Sequence, residues 1–319
     1  MDERHSRKDL IKVAKLYYFG NLSQSEIAQT LGVSRPKISR MLSMARSQNI
    51  VEIKIKDFPM MAEETAEKIR QHFGLSKVII APSGNTPEQS KQSVSKEAGE
   101  YLNTVLQDGM QIGISWGTTL HAMIKQFELK RRLSDVNVVQ LAGGIHSIGF
   151  DLDSRELVRS LAQKLNATYS ILQMPMIVTN STIRDLLLQE PEVKSHFERF
   201  DRLDMAFVGI GSMIPEESIP YKAGYITLEQ SQNLVNTGFA ADICGNRIFL
   251  DGSIRPNILT GRLISISPEQ MKQIPKIVAV AAGTNKAIPI IAGARGKFFN
   301  VLIIDEVAAL TILGLEGLS

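Results

Sequence analysis

The chain has 319 residues, 44% of them hydrophobic and 22% charged, with a formal net charge of +3. That length suits about two domains, and the composition excludes a disordered or fibrous chain. No run approaches the ~18–20 apolar residues of a membrane span, the charged start MDERHSRKDL lacks the apolar stretch of a signal peptide, and one cysteine cannot form an internal disulfide; a cytoplasmic chain with no membrane partner is expected.

Charge is unevenly spread. Residues 1–57 hold 11 Lys/Arg against 6 Asp/Glu, and the rest of the chain is slightly acidic. A basic front points to an anionic partner there.

Residues 7–19 read as an amphipathic helix, with Leu10, Ile11, Ala14 and Tyr17 or Tyr18 on one face and Gly20-Asn21 ending it. Ser23 and Glu26 form an S-x-x-E capping box that opens a second helix, which stops at Gly32. Ser34 caps a third helix with Pro36 in its first turn. Residues 50–56 alternate apolar and polar, as a strand or wing does. A joint at 57–62 leads to a helix over 62–73. Beyond it, strand-like runs at 77–81, 110–115, 136–141, 168–174, 205–211, 246–250, 276–283 and 300–305 alternate with helical stretches such as 91–106, 117–127, 153–166 and 286–293. Such alternation implies a mostly parallel sheet covered on both faces. The expected architecture is therefore α/β, with a helix-turn-helix domain over 1–57 and a Rossmann-like sheet domain over 58–319.

SQSEIAQTLGVSRPKISRMLSMA (23–45) carries the clearest chemistry. Ala28 supplies the small residue where two helices cross, Gly32 the positive φ of the turn, and Val33, Ile38, Met41 and Leu42 the apolar pins. The exposed face of the second of these helices is polar and basic, as entry into a DNA major groove requires. Arg35 and Lys37 are placed near base edges, and Ser34, Ser39, Arg40, Ser23 and Gln24 complete the expected contact set with operator double-stranded DNA. A helical interaction domain with a solvated basic face is the competing reading.

With LYYFGNLSQSEIAQTLGVSRPKISRML at the front, followed in order by IGISWGTTL, VVQLAGG, FVGIG, VAVAAGTNKA and VLIIDEVAA, the chain resembles the SorC family of sugar-binding transcriptional regulators, in its deoxyribonucleoside-regulator-like branch. The resemblance implies an effector domain similar to sugar-phosphate isomerases, homo-oligomers (dimers or tetramers), and control by a small phosphorylated sugar or related metabolite. Some relatives carry a basic residue just before the paired glycines; this chain has Ala142, so an anion contact or Schiff base through that position is impossible.

Ligands of open α/β sheets sit beyond the carboxyl ends of the strands. Gly117, Thr118 and Thr119 stand there, offering close backbone approach, hydroxyls and the free amides of a helix start; helix capping alone would also explain them. Gly143 and Gly144 line the same pocket or merely make a turn. Asp153 is a cap or a hydroxyl-binding carboxylate. Gly209 and Gly211 are explained by packing nearly as well as by ligand contact. Asp242, in the apolar FAADICG, must find a partner or a sugar hydroxyl. Lys286 follows a strand end and can act as counter-ion to a phosphate, or make a surface salt bridge; the resemblance places pocket residues at both Asp242 and Lys286. Cys244 reads as a buried structural thiol. No metal spacing, no cofactor motif and no acid–base constellation around His121, His146 or His196 is evident, so a regulator is favoured over the alternative, a sugar-phosphate isomerase or deaminase fused to a DNA-binding module.

Overall fold

The computed structural model describes residues 6–51, 58–145 and 154–318. Contacts divide the chain into two compact units, one running up to Phe58 and including Gly84–Gln89, the other comprising Pro59–Ser83 and Ser90 onward.

The first unit contains three helices, α1 (Arg7–Tyr18), α2 (Gln24–Leu31) and α3 (Arg35–Ser47). Leu10 and Val13 of α1, Ile27 of α2, and Ile38 and Leu42 of α3 are almost fully buried against one another. Each such side chain contributes about 1.5–3 kcal/mol by leaving water. On α1 it is Val13, not Ile11, that joins Leu10 and Ala14 inside. Ser23 accepts the Glu26 amide while the Glu26 carboxylate accepts the Ser23 amide, so the expected capping box is present. Gly32 closes α2 at φ 64°, the left-handed conformation the turn requires. Ser34 holds the N-cap position of α3 but makes no side-chain cap bond. The strand expected over 50–56 falls mostly on residues outside the described ones.

Helix α4 (Phe58–Phe73) leads into the second unit and begins inside the stretch expected to be a joint. Seven strands form a wholly parallel sheet: β1 (Lys77–Ala81), β2 (Gln111–Ile114), β3 (Asn137–Gln140), β4 (Thr168–Ser170), β5 (Met205–Gly209), β9 (Lys276–Val280) and β10 (Val301–Asp305). Three shorter strands, β6 (Gly211–Ser212), β7 (Phe239–Ile243) and β8 (Asn246–Phe249), make a separate antiparallel sheet. Among the helices beside the strands are α5 (Pro87–Val105), α6 (Thr118–Gln126) and α7 (Ser154–Leu165).

Both faces of the large sheet are dry. Met205, Phe207, Val278, Val280, Val301 and Ile303 belong to one core cluster. The residues alternating with them, Ala206, Val208, Ile277, Ala279, Leu302 and Ile304, belong to another. This period-2 division explains why the strands read as continuous apolar runs.

The strand order β1-β10-β9-β5-β2-β3-β4 fixes where a ligand can enter. From β2 the chain steps outward through β3 and β4, then returns to the other side of β2 at β5 and continues through β9 and β10. The order reverses between β2 and β5, and a crevice opens beyond the carboxyl ends of strands at such a point. No helix among the described residues is long and apolar enough to cross a membrane.

Candidate functional site

Two surfaces carry the residues singled out in the sequence. On the first unit, Ser34, Arg35, Ser39 and Arg40 are exposed, and Lys37 is half-buried. They lie opposite the buried stripe of Ile38, Met41, Leu42 and Ala45, so core and polar face are fixed by one helical period. Ser23 is exposed and Gln24 half-buried at the start of α2. Arg46 is turned back onto the unit, donating to the Tyr18 hydroxyl at 3.2 Å and to Ser43 Oγ at 3.3 Å. It buttresses the end of α3.

On the second unit the carboxyl ends of β2, β5 and β9 gather a second set. After β2, Ser115 is buried; its Oγ accepts the Gly209 amide at 3.2 Å and donates to Trp116 O at 3.3 Å. A Cβ on Gly209 would lie 2.9 Å from Trp116 O, so glycine at the end of β5 lets the two chain segments close together. Gly117 caps α6 with φ 144° and ψ 148°, and Thr118 is exposed while Thr119 is half-buried. After β9, Gly283 is again a positive-φ residue with extended ψ, φ 103° and ψ 155°, ahead of the turn Thr284–Lys286. Two strand-to-helix junctions of like geometry therefore flank β5, each presenting helix-start amides.

Lys286 is not a bare cation. Its Nζ lies 3.5 Å from Glu217 Oε2, and Asn285 Nδ2 donates to Glu217 Oε1 at 2.8 Å. Burial pushes the Lys286 ammonium below its ordinary pKa, and the Glu217 carboxylate partly restores it.

Asp242 also has an internal partner. It stands on β7 directly across from Arg247 on β8, with Oδ2 3.1 Å from Nη2. Asp242 Oδ1 accepts the Gly245 amide at 2.9 Å, and Arg247 Nη1 donates to Gly245 O. Arg247 is 2% exposed, and its Nη2 is not aligned for a hydrogen bond. Burial lowers the guanidinium's pKa and the Asp242 charge opposes that. Of the two outcomes open to Asp242 in the sequence, a protein partner is realised, while 15% of its side chain stays accessible. Gly211 faces it from β6, where a Cβ would come 3.2 Å from Asp242 Cβ, so Gly211 serves strand approach.

The paired glycines are packed within the protein. Both are buried, the Gly143 amide donates to Ile264 O at 2.9 Å, and the Gly144 amide donates to Met174 O at 2.8 Å. A Cβ on Gly143 would stand 2.6–2.7 Å from the backbone of residues 174–176. Crossing segments occupy the space, and neither amide is available to a ligand. Asp153 lies outside the described residues, as does His146. Cys244 is buried, with its thiol pushed well above its ordinary pKa by burial and the nearby Asp242 charge, so it is an inert core thiol. His196 is buried, with Nε2 2.8 Å from Gln140 O. No group of three or more His, Cys, Asp or Glu able to hold a metal occurs among the described residues.

Comparison with known proteins identifies the family. The family described as "Putative sugar-binding domain" matches residues 60–314. The deoxyribonucleoside regulator of Bacillus subtilis (strain 168) is 26% identical over 308 residues, 95% of this chain and 96% of that protein. The sorbitol operon regulator of Klebsiella pneumoniae is 28% identical over 309 residues, 95% of this chain and 97% of that one. The crystal structure of full-length SorC from Klebsiella pneumoniae superposes with a TM-score of 0.74 at 27% identity, covering 97% of this chain and 100% of that chain. The chain belongs to the SorC family of sugar-binding transcriptional regulators.

Within this SorC-family protein, three charged residues stand beside the candidate residues without being among them. Arg247 had a signal: D-I-C-G-N-R is a hairpin tip, with Cys244 at φ 53° and Gly245 at φ 81°, and a hairpin places Asp242 opposite Arg247. The need of Asp242 for a partner is legible in FAADICG, but the identity of that partner depends on the hairpin. Glu217 had none, because its place beside Lys286 depends on β6 reaching the carboxyl edge of the sheet. A third residue, Arg155 at the start of α7, brings Nε to 3.0 Å from where a Gly144 Cβ would be, so its guanidinium lies over that glycine.

Proposed function

We propose that this regulator is a repressor of a carbohydrate or nucleoside catabolic operon, that it grips operator DNA as a homo-oligomer through the face of Ser34, Arg35, Lys37, Ser39 and Arg40, with Arg40 and Ser23 or Gln24 closer to the phosphates, and that a small phosphorylated sugar-like effector releases it. The effector lies over Gly117, Thr118 and Thr119, with Lys286 as its counter-ion and the accessible part of Asp242 accepting hydroxyl hydrogen bonds. The supporting observation is the pair of like-shaped strand-to-helix junctions, Gly117 and Gly283, on either side of β5 next to the reversal of strand order. An anion there meets helix-start amides and an ammonium together. The effector then shifts a two-state equilibrium by binding one state better than the other.

A screen of phosphosugars by thermal shift, read out on operator DNA and followed for turnover, tests this reading. A shift without product supports the regulator; product formation would make it an enzyme. For an effector found this way, Lys286→Ala should weaken the phosphorylated compound by about 1.5–3 kcal/mol and its unphosphorylated analogue much less, as loss of a charge-assisted contact requires. Operator binding without ligand should stay near wild type, giving a non-inducible repressor. Equal losses for both compounds in calorimetry would mean that Lys286 supports the fold instead.

A further inference from the structure

Lys286 already holds an anion, and that anion belongs to the protein. Glu217 ends the short 3-10 turn Pro215–Glu217, which follows β6. Its carboxylate is gripped on both oxygens, Oε1 by Asn285 Nδ2 at 2.8 Å and Oε2 by Lys286 Nζ at 3.5 Å. Both partners sit in the turn Thr284–Lys286 at the carboxyl end of β9. The pair is asymmetric: the Lys286 side chain is 21% exposed and that of Glu217 is 39% exposed. The carboxylate is thus the more accessible and more easily displaced member. Its own turn is held by local bonds, the Ile214 amide donating to the Ser212 hydroxyl at 3.1 Å, the Glu217 amide to Ile214 O at 2.9 Å and the Ser218 amide to Pro215 O at 3.1 Å.

We infer that Glu217 is a specificity-determining residue that occupies Lys286 in place of the ligand's anionic group, so that only a ligand whose charge outcompetes a carboxylate takes the site. This rests on the reading of Lys286 as the ligand's counter-ion. A neutral sugar offers Lys286 nothing to replace the Glu217 charge. A phosphate, with up to two negative charges and three acceptor oxygens, replaces it and adds contacts to the neighbouring helix-start amides. Glu217 then swings toward solvent with little penalty because it is already partly exposed. Discrimination for phosphorylated over neutral compounds follows from this competition as much as from attraction, in the way a repulsive element sharpens recognition elsewhere.

Glu217→Gln isolates the charge. Glutamine keeps an oxygen for Asn285 Nδ2 and nearly the same shape. The full-length protein, Glu217→Gln, Lys286→Met and the double variant are titrated with inorganic phosphate at constant ionic strength, with chloride as control, and followed by thermal shift and calorimetry. Glu217→Gln should bind phosphate about three- to tenfold more tightly than wild type, the range expected when one partly screened like charge is removed. Lys286→Met should bind it at least tenfold more weakly, and Glu217→Gln should add less than twofold in the Lys286→Met background. Unchanged or weaker phosphate binding by Glu217→Gln, with Lys286→Met still defective, overturns the inference and leaves the reading of Lys286 intact. Unimpaired binding by Lys286→Met overturns that reading and the inference with it, as does the absence of a phosphate response in every variant.

Discussion

The α3 face and the carboxyl edge of the sheet both carry candidate cations, but they hold them differently. Arg35 and Arg40 stand on an exposed helix face whose geometry is set entirely by the apolar stripe behind it. Lys286 and Arg247 are largely or wholly buried, and each has a carboxylate of its own, Glu217 and Asp242. A surface that meets DNA phosphates gains from solvated charge, because binding releases counter-ions. A pocket in low dielectric tolerates charge only when it is paired, so its ligand must exchange with an internal partner. The charge on the α3 face is thus open by construction, and the charge at the carboxyl edge of the sheet is internally paired.

The sharpest test of that contrast removes Arg247. Arg247→Met should leave Asp242 without its buried cation and destabilise the sheet unit by about 3 kcal/mol. That corresponds to a fall in melting temperature of roughly 6–12 °C. Asp242→Asn combined with Arg247→Met should recover part of the loss. If the single variant melts with wild type, the pairing on this edge is not structural and the contrast fails. At the helical unit the expected effect is on binding and not on folding. Arg35→Ala should weaken operator binding by about 1–3 kcal/mol, relax one base preference and leave the melting temperature unchanged. A mobility shift equal to wild type would take Arg35 out of the interface. The smallest effect concerns the frame that presents this face. Ser23→Ala removes the acceptor for the Glu26 amide and should reduce the stability of the helical unit by about 1 kcal/mol. Chemical denaturation should detect this; no change would mean that water replaces the cap without loss.

The difference between the two regions also governs how much could be read in advance. In the helical unit, Ser23, Glu26, Ala28, Gly32 and Pro36 act on neighbours within a few positions, so the capping box, the turn at φ 64° and the exposed basic face follow from local spacing. In the sheet unit, local pattern was enough for seven of the eight strand-like runs to emerge in the parallel sheet, and for the GTT segment to stand at a strand end. The run at 246–250 instead pairs with FAADI in a hairpin, since the positive-φ turn at Cys244-Gly245 reverses the chain within two residues.

The sequence by itself determined most of the elements and the family, because periodicity, caps and motifs are short-range properties that survive without a fold. Only the tertiary structure decided which of the nominated residues are accessible to a partner. Gly143 and Gly144 are enclosed by residues 174–176 and 264, brought to them from thirty or more positions away. Asp242 meets Arg247 because β7 and β8 pair, and Lys286 meets Glu217, 69 positions earlier, because β6 adjoins the end of β9. Ion pairing and steric enclosure act over a few ångströms of space, whatever the separation along the chain, and that proximity is created by the order in which the strands assemble.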